Sequence, residues 1–546
     1  MGLLCLPNEL TATILNELDI PSLLRCGQVC KLFHSIISES AHLLYKIELF
    51  ASQLTPGKQC TMDDVARLQA LRSYNRAWND MTWSTHHEEV DMSDGSSWDL
   101  SGGVFAQAIR GTAPSISFIQ LPCSIKGIPE KRWIVNLQSG ILRLRDFYFD
   151  VSQDLLICVE VTGTMPNQMV TFYLRTLSMG QDHPQANGPL IQYPLSAEQW
   201  NTTFIMQVCG PHFGVIFESS ILGRNTHTIN AFAVWNWRTG KQEMVVRCPE
   251  IRSFSFISED LILAAMFVSE REPTLDIISV ASCRLAHSDA HDSENPMTPL
   301  EFSSIPYVCR LRYPPLRTSV SAKDVLIRSE PTPSATAPPD LAAPFSSTGS
   351  VDHLYAVTLR ANLDDDKTEC TVLLTLRSVL LEQVAAVTRS KDASPDANRE
   401  TQPQPIPWAL WGPRNTRILL REPSEVWVCY TYGTRFIQRL PFKDGCVARV
   451  YDLNKYAARR RGWVKTAEDP HHLWTPLAKR GKLVGLCYMF DEEVATSLPG
   501  RVATIDLPGA CAAEGQERGW EAAMIAEDNI VVVSPDRERY GYVMMQ

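Results

Sequence analysis

The chain has 546 residues, 45% of them apolar and 21% charged, an ordinary globular composition that excludes global disorder. At roughly 100–200 residues per domain the length suggests two to four units, one of which can be a large repeat fold. A formal net charge of −10 disfavours non-specific binding to nucleic acid or anionic lipid over the whole surface.

No apolar run approaches the roughly 18 residues needed to cross a bilayer, and the start Met1-Gly2-Leu3-Leu4-Cys5 meets Pro7 and Glu9 before a signal-peptide core can form. The expectation is a chain without a membrane span or a secretion signal. Fifteen cysteines are scattered without a Cys-x-x-Cys pair, a usage that suits small buried hydrophobes in the reducing cytoplasm or nucleus better than a zinc or redox motif.

Leu10, Ile14 and Leu18 recur at helical spacing behind Leu6-Pro7-Asn8-Glu9, which predicts a short helix with a proline-containing entry. Asp19-Ile20-Pro21-Ser22 then opens a second helix, with Leu23, Cys26, Cys30, Phe33 and Ile37 on one stripe and Val29 and Ile36 widening it. A third is expected from about Ser40, carrying Leu43, Ile47 and Phe50. Three short helices make a core that is marginal alone, so a partner or the rest of the chain is expected to complete it.

Read together, Leu6-Pro7-x-Glu9-Leu10, Ile14-Leu15-x-x-Leu18, Leu23-Leu24-x-Cys26, Val29-Cys30 and Phe33 resemble an F-box over residues 1–50. The resemblance implies binding to the Skp adaptor, and through it to cullin and RING subunits. The positions it points to are Leu6, Pro7, Leu10, Ile14, Leu15, Leu23, Leu24, Cys26, Val29, Cys30 and Phe33. Phe33 stands where many F-box proteins carry tryptophan, which keeps an aromatic anchor with less area to bury.

Residues 51–99 read as a helical linker: Thr61-Met62-Asp63-Asp64 is a cap with early acidic residues, followed by Val65, Leu68, Leu71 and Trp78. From about residue 100 to 546 the texture becomes short β-like runs between Gly, Pro, Asn and Asp, so the fold class is mainly β. A phrase recurs in it. Phe147-Tyr148-Phe149 leads to Asp154-Leu155-Leu156 as Phe254-Ser255-Phe256 leads to Asp260-Leu261-Ile262, a spacing of about two blades of a propeller.

Ala233-Val234-Trp235-Asn236-Trp237-Arg238-Thr239-Gly240-Lys241 resembles a degenerate WD repeat, and Tyr451-Asp452-Leu453 and Thr504-Ile505-Asp506-Leu507 echo it. The body is therefore expected to be a divergent β-propeller of about seven blades, a layout similar to large fungal F-box protein families. Two polar, Pro-rich stretches, 331–350 and 388–407, are expected to project as disordered insertions.

The sequence-local signatures of catalysis are absent: no phosphate-cradling Gly loop, no Gly-x-Ser-x-Gly and no His-Glu-x-x-His. His86-His87-Glu88-Glu89 reads as a surface loop, because four adjacent residues do not easily converge on one ion. Arg459, Arg460 and Arg461 with Trp463 form the one dense basic patch, a candidate contact for an acidic or phosphorylated target. No catalytic, metal or cofactor site is expected. The reading is a non-catalytic substrate receptor of an SCF-type ubiquitin ligase, with an F-box scaffold lacking ligase function as the alternative.

Overall fold

The computed structural model describes residues 6–82, 90–91, 97–109, 114–137, 141, 143–196, 199–221, 224–269, 271–288, 299–335, 342–347, 352–363, 367–392, 403–420, 429–440, 447–457, 475–477, 481–482, 488–507, 522–533 and 539–544. Helices come first: α1 (Asn8–Asn16), α2 (Ile20–Val29), α3 (Lys31–Glu39), α4 (Ala41–Ser52) and α5 (Asp64–Asp80). Seven sheets of four or five strands follow, arranged as a seven-bladed β-propeller.

Blade 1 runs Trp98–Ser101, Val104–Ile109, Ser115–Gln120, Lys131–Asn136, and blade 2 runs Asp146–Asp150, Leu155–Thr162, Met169–Thr176, Leu190–Pro194. Blade 3 (Gln199–Arg247) and blade 4 (Ile251–Arg312) repeat the antiparallel meander, as do blade 5 (Ser321–Leu420) and blade 6 (Thr431–Asp506). Blade 7 takes its inner three strands, Ala522–Ile525, Asn529–Val533 and Arg539–Met544, from the end of the chain. Its outer strand, Val90–Asp91, comes from before blade 1, with Val90 opposite Tyr540. The ring is thus closed by pairing between the two ends of the body, which covers the outer edge of Arg539–Met544.

Blades hold one another through rings that alternate out of the strands. Phe118 of blade 1 meets Phe149 of blade 2 edge-on at 5.7 Å, Phe172 meets Phe213 of blade 3 at 5.1 Å, and Phe232 meets Phe254 of blade 4 at 4.6 Å. The recurring aromatic phrase is the first strand, the turn and the second strand of blades 2 and 4. Its aspartate has a structural task. Asp154 accepts from Ser178 N (2.7 Å) and Ser178 Oγ (2.8 Å), and Asp260 accepts from Ala281 N (2.8 Å) and Ser279 Oγ (2.9 Å). Asp352 does the same in blade 5 with Ser378 N (2.9 Å) and Oγ (2.6 Å). Each carboxylate ties the first turn of its blade to the connection after the third strand, satisfying a backbone N–H that sheet pairing leaves free.

Three expectations change. The second predicted helix is two helices, because Cys30 adopts an extended backbone (φ −154°, ψ 161°) and its Sγ accepts from Phe33 N to start α3. The stretch 331–350 is packed at both described ends: Pro331–Pro333 and Ala343–Ser347 are buried, and Phe345–Ser346 pair with Thr55–Pro56. Of 388–407, residues up to Asp392 continue helix Arg377–Asp392, and Ile406 pairs with Leu311 along the outer edge of blade 4. Proline-rich composition removed donors without preventing these segments from capping edges whose partners were already in place.

Blade 5's central hairpin pairs Leu354–Asn362 with Thr368–Leu376, Asn362 lying opposite Thr368 on either side of 364–366, which are outside the described residues.

Candidate functional site

The helical module has its own small core of Leu15, Ile20, Leu23, Ile36, Ile37 and Leu43. Its helix ends are satisfied locally. Asp19 caps α2 by accepting from Ser22 N at 2.9 Å, and the Ser22 hydrogen bonds hold its carboxyl below the ordinary aspartate value. Lys46 of α4 donates its ammonium to Leu18 O at 2.8 Å and to Asn16 O, meeting the orphan carbonyls at the end of α1.

That arrangement sorts the eleven residues singled out by sequence. Leu15, Leu23 and Phe33, expected on the adaptor-facing side, are instead buried in the module: helical phase turns them inward, and Leu23 has no accessible surface. Leu6, Cys26 and Cys30 are half-buried. Pro7, Leu10, Ile14, Leu24 and Val29 are exposed, Leu10 by 53% and Val29 by 70%. Leu32 is exposed as well and was missed, because the break at Cys30 resets the phase of a stripe read as continuous from Leu23 to Ile37. Leu10, Ile14, Leu24, Val29 and Leu32 are thus five exposed large aliphatic side chains on a small unit.

The sequence family agrees with the geometry. Residues 3–49 match the F-box-like family. This segment is an F-box-like domain. Among curated proteins none matches the chain. The F-box therefore supplies four short helices, and α5 with the α4 end carries it on the propeller.

The F-box is bolted to the end of the propeller where first turns and third-strand connections emerge. Tyr45 Oη donates to Pro344 O (2.5 Å) and Gly57 N donates to the same carbonyl (2.9 Å), so close that a side chain at Gly57 would strike Ala343 O. Asn454 Nδ2 reaches Ala51 O at 2.9 Å, and Phe50 packs on Tyr456 with ring centroids 4.8 Å apart. At the far end of α5, Trp78 is buried under the Arg435 guanidinium (3.8 Å), and Asn79 Oδ1 accepts from Arg501.

The basic patch Arg459, Arg460, Arg461 and Trp463 lies outside the described residues; its approach, Asn454–Ala457, abuts α4. His86-His87-Glu88-Glu89 also lies outside them, and among the described residues no group of three or more His, Cys, Asp or Glu has metal-site geometry. Trp411 is fully buried with its Nε1 donating to Arg312 O at 2.8 Å.

Proposed function

We propose that the chain is the substrate-receptor subunit of an SCF-type cullin-RING ubiquitin ligase. The observation that carries the reading is a set of exposed aliphatic side chains, Leu10, Ile14, Leu24, Val29 and Leu32, on an F-box-like domain that also has a buried core of its own. Those side chains fit the Skp adaptor, which would link the chain to cullin and RING subunits, while the propeller holds a target protein. The chemistry then belongs to the recruited carrier, and this chain contributes proximity: a target lysine held near a thioester reacts at a raised effective concentration.

The test is co-purification of the intact chain with the Skp adaptor and a cullin, beside a Leu10→Asp, Leu24→Asp, Val29→Asp variant. Loss of the complex in a variant that melts like the parent supports the reading. A folded parent that binds no adaptor overturns it, and an adaptor complex that excludes cullin converts the protein to a scaffold.

A further inference from the structure

Ring closure and the seat of the F-box meet at one residue. Glu527 sits in the turn between the inner two strands of blade 7. Its Oε1 accepts from Ser347 N at 2.8 Å and lies 2.6 Å from Lys126 Nζ, its Oε2 accepts from Tyr432 Oη at 3.3 Å, and its carbonyl accepts from Tyr74 Oη at 2.8 Å. Those donors come from the blade 5 insertion, blade 1, blade 6 and α5 respectively. Asp528 is a second partner of Lys126 at 2.8 Å, and Asn529 Nδ2 donates to Pro122 O at 3.0 Å, so the joint between blades 7 and 1 is held beside the same carboxylate.

The Lys126 side chain is 1% exposed. Burial pushes its ammonium toward the neutral form, and Asp528 and Glu527 together reverse this, so the net effect raises its pKa and the charge is kept. The ammonium also lies 5.0 Å from the Tyr74 ring and 5.2 Å from the Phe345 ring, which meet each other edge-on. One cation from blade 1 thus touches the linker helix, the insertion paired with Thr55–Pro56, and blade 7.

We propose that Glu527 couples closure of the propeller ring to the seating of the F-box, so that the F-box keeps one orientation only while the joint between blades 7 and 1 is closed. Opening the joint removes Lys126 from Glu527. A carboxylate left buried without its cation turns to water, and in doing so drops Ser347 N and shifts the carbonyl that holds Tyr74. Coupling of this kind is reciprocal: loosening α5 must also loosen the joint. The value of a fixed orientation rests on the receptor reading above, whereas the coupling itself is a property of this chain alone, which makes Glu527 a positioning residue.

The experiment uses the full-length chain without adaptor. Bio-orthogonal spin labels at the exposed Ser38 and Lys241 report the distance from F-box to body, and hydrogen exchange reports the joint through the amides of Ala522–Val533. Glu527→Ala is expected to broaden a single narrow distance distribution, with Glu527→Gln, which keeps an acceptor for Ser347 N, broadening it less. Tyr74→Phe removes one hydroxyl from the helix side and is expected to speed exchange of the joint amides about fivefold, the effect of one buried hydrogen bond. Should Glu527→Ala fail to fold, Tyr74→Phe decides alone. Exchange that rises only within α5 in Tyr74→Phe, or an unchanged distance distribution in Glu527→Ala, overturns the coupling whether or not the adaptor binds.

Discussion

Asp452 and Arg501 form an ion pair at 2.9 Å with both side chains 3% exposed, at the point where α5 lands on blade 6. Burial works against the Asp452 charge, but Arg501 and Arg435 outweigh it and hold the carboxyl below its ordinary value. Thr434 Oγ1 and Asn454 N add hydrogen bonds, and Arg501 reaches on to Asn79. Asp452→Ala removes the carboxylate partner of the buried Arg501 guanidinium and should cost about 3–5 kcal/mol, read as a fall in the urea midpoint of the full chain. A loss below about 1 kcal/mol would mean that water replaces the carboxylate.

A pH dependence follows from His353, which is fully buried with both ring nitrogens unpartnered. Burial, reinforced by Arg377, pushes its pKa down to about 3, against the unperturbed value of 6.5. The unfolded chain therefore takes up a proton below pH ~6.5 while the folded chain refuses it until about pH 3, so its contribution to stability falls as pH drops through that window. His353→Leu removes this proton linkage and two orphan nitrogens. The difference in melting temperature between variant and parent should widen from pH 7 to pH 5; a constant difference would show that another group carries the acid sensitivity.

Within the F-box, neighbouring residues should separate cleanly. Leu23→Ala opens a cavity in a core of few residues and is expected to destabilise the module by about 2–5 kcal/mol. Val29→Asp changes a side chain that touches mainly water and should leave the melt within about 0.5 kcal/mol of the parent. If the receptor reading holds, the surface change abolishes adaptor capture, whereas the core change weakens it only in proportion to the unfolded fraction.

Blade turns offer a further check. Asp260→Ala strips the acceptor from Ala281 N and Ser279 Oγ and should lower stability by about 1–3 kcal/mol, with faster exchange at Ala281. Asp154→Ala should have a similar effect in blade 2, since the same two types of donor are involved. Unequal losses would show that blade 4 leans on helix Val280–Ser288 for its closure.

Local features are legible along the chain. Spacing of Leu10, Ile14, Leu23 and Phe33 made the F-box legible, Asp63 marked the start of α5, and the aromatic phrases marked equivalent hairpins two blades apart, because caps, periods and turns are written within a few residues of where they act. Which side of each helix faces out follows from how the helices pack in three dimensions. Leu15 and Leu24 are equally apolar, and their separation into core and surface depends on where α3 and α4 lie. The same holds for the segments at 342–347 and 403–407: nothing in their composition announces a partner. Phe345–Ser346 pair with Thr55–Pro56 and Ile406 with Leu311, each far away in the chain. Pairing across such separations is encoded in shape complementarity between finished surfaces, which a linear pattern does not display.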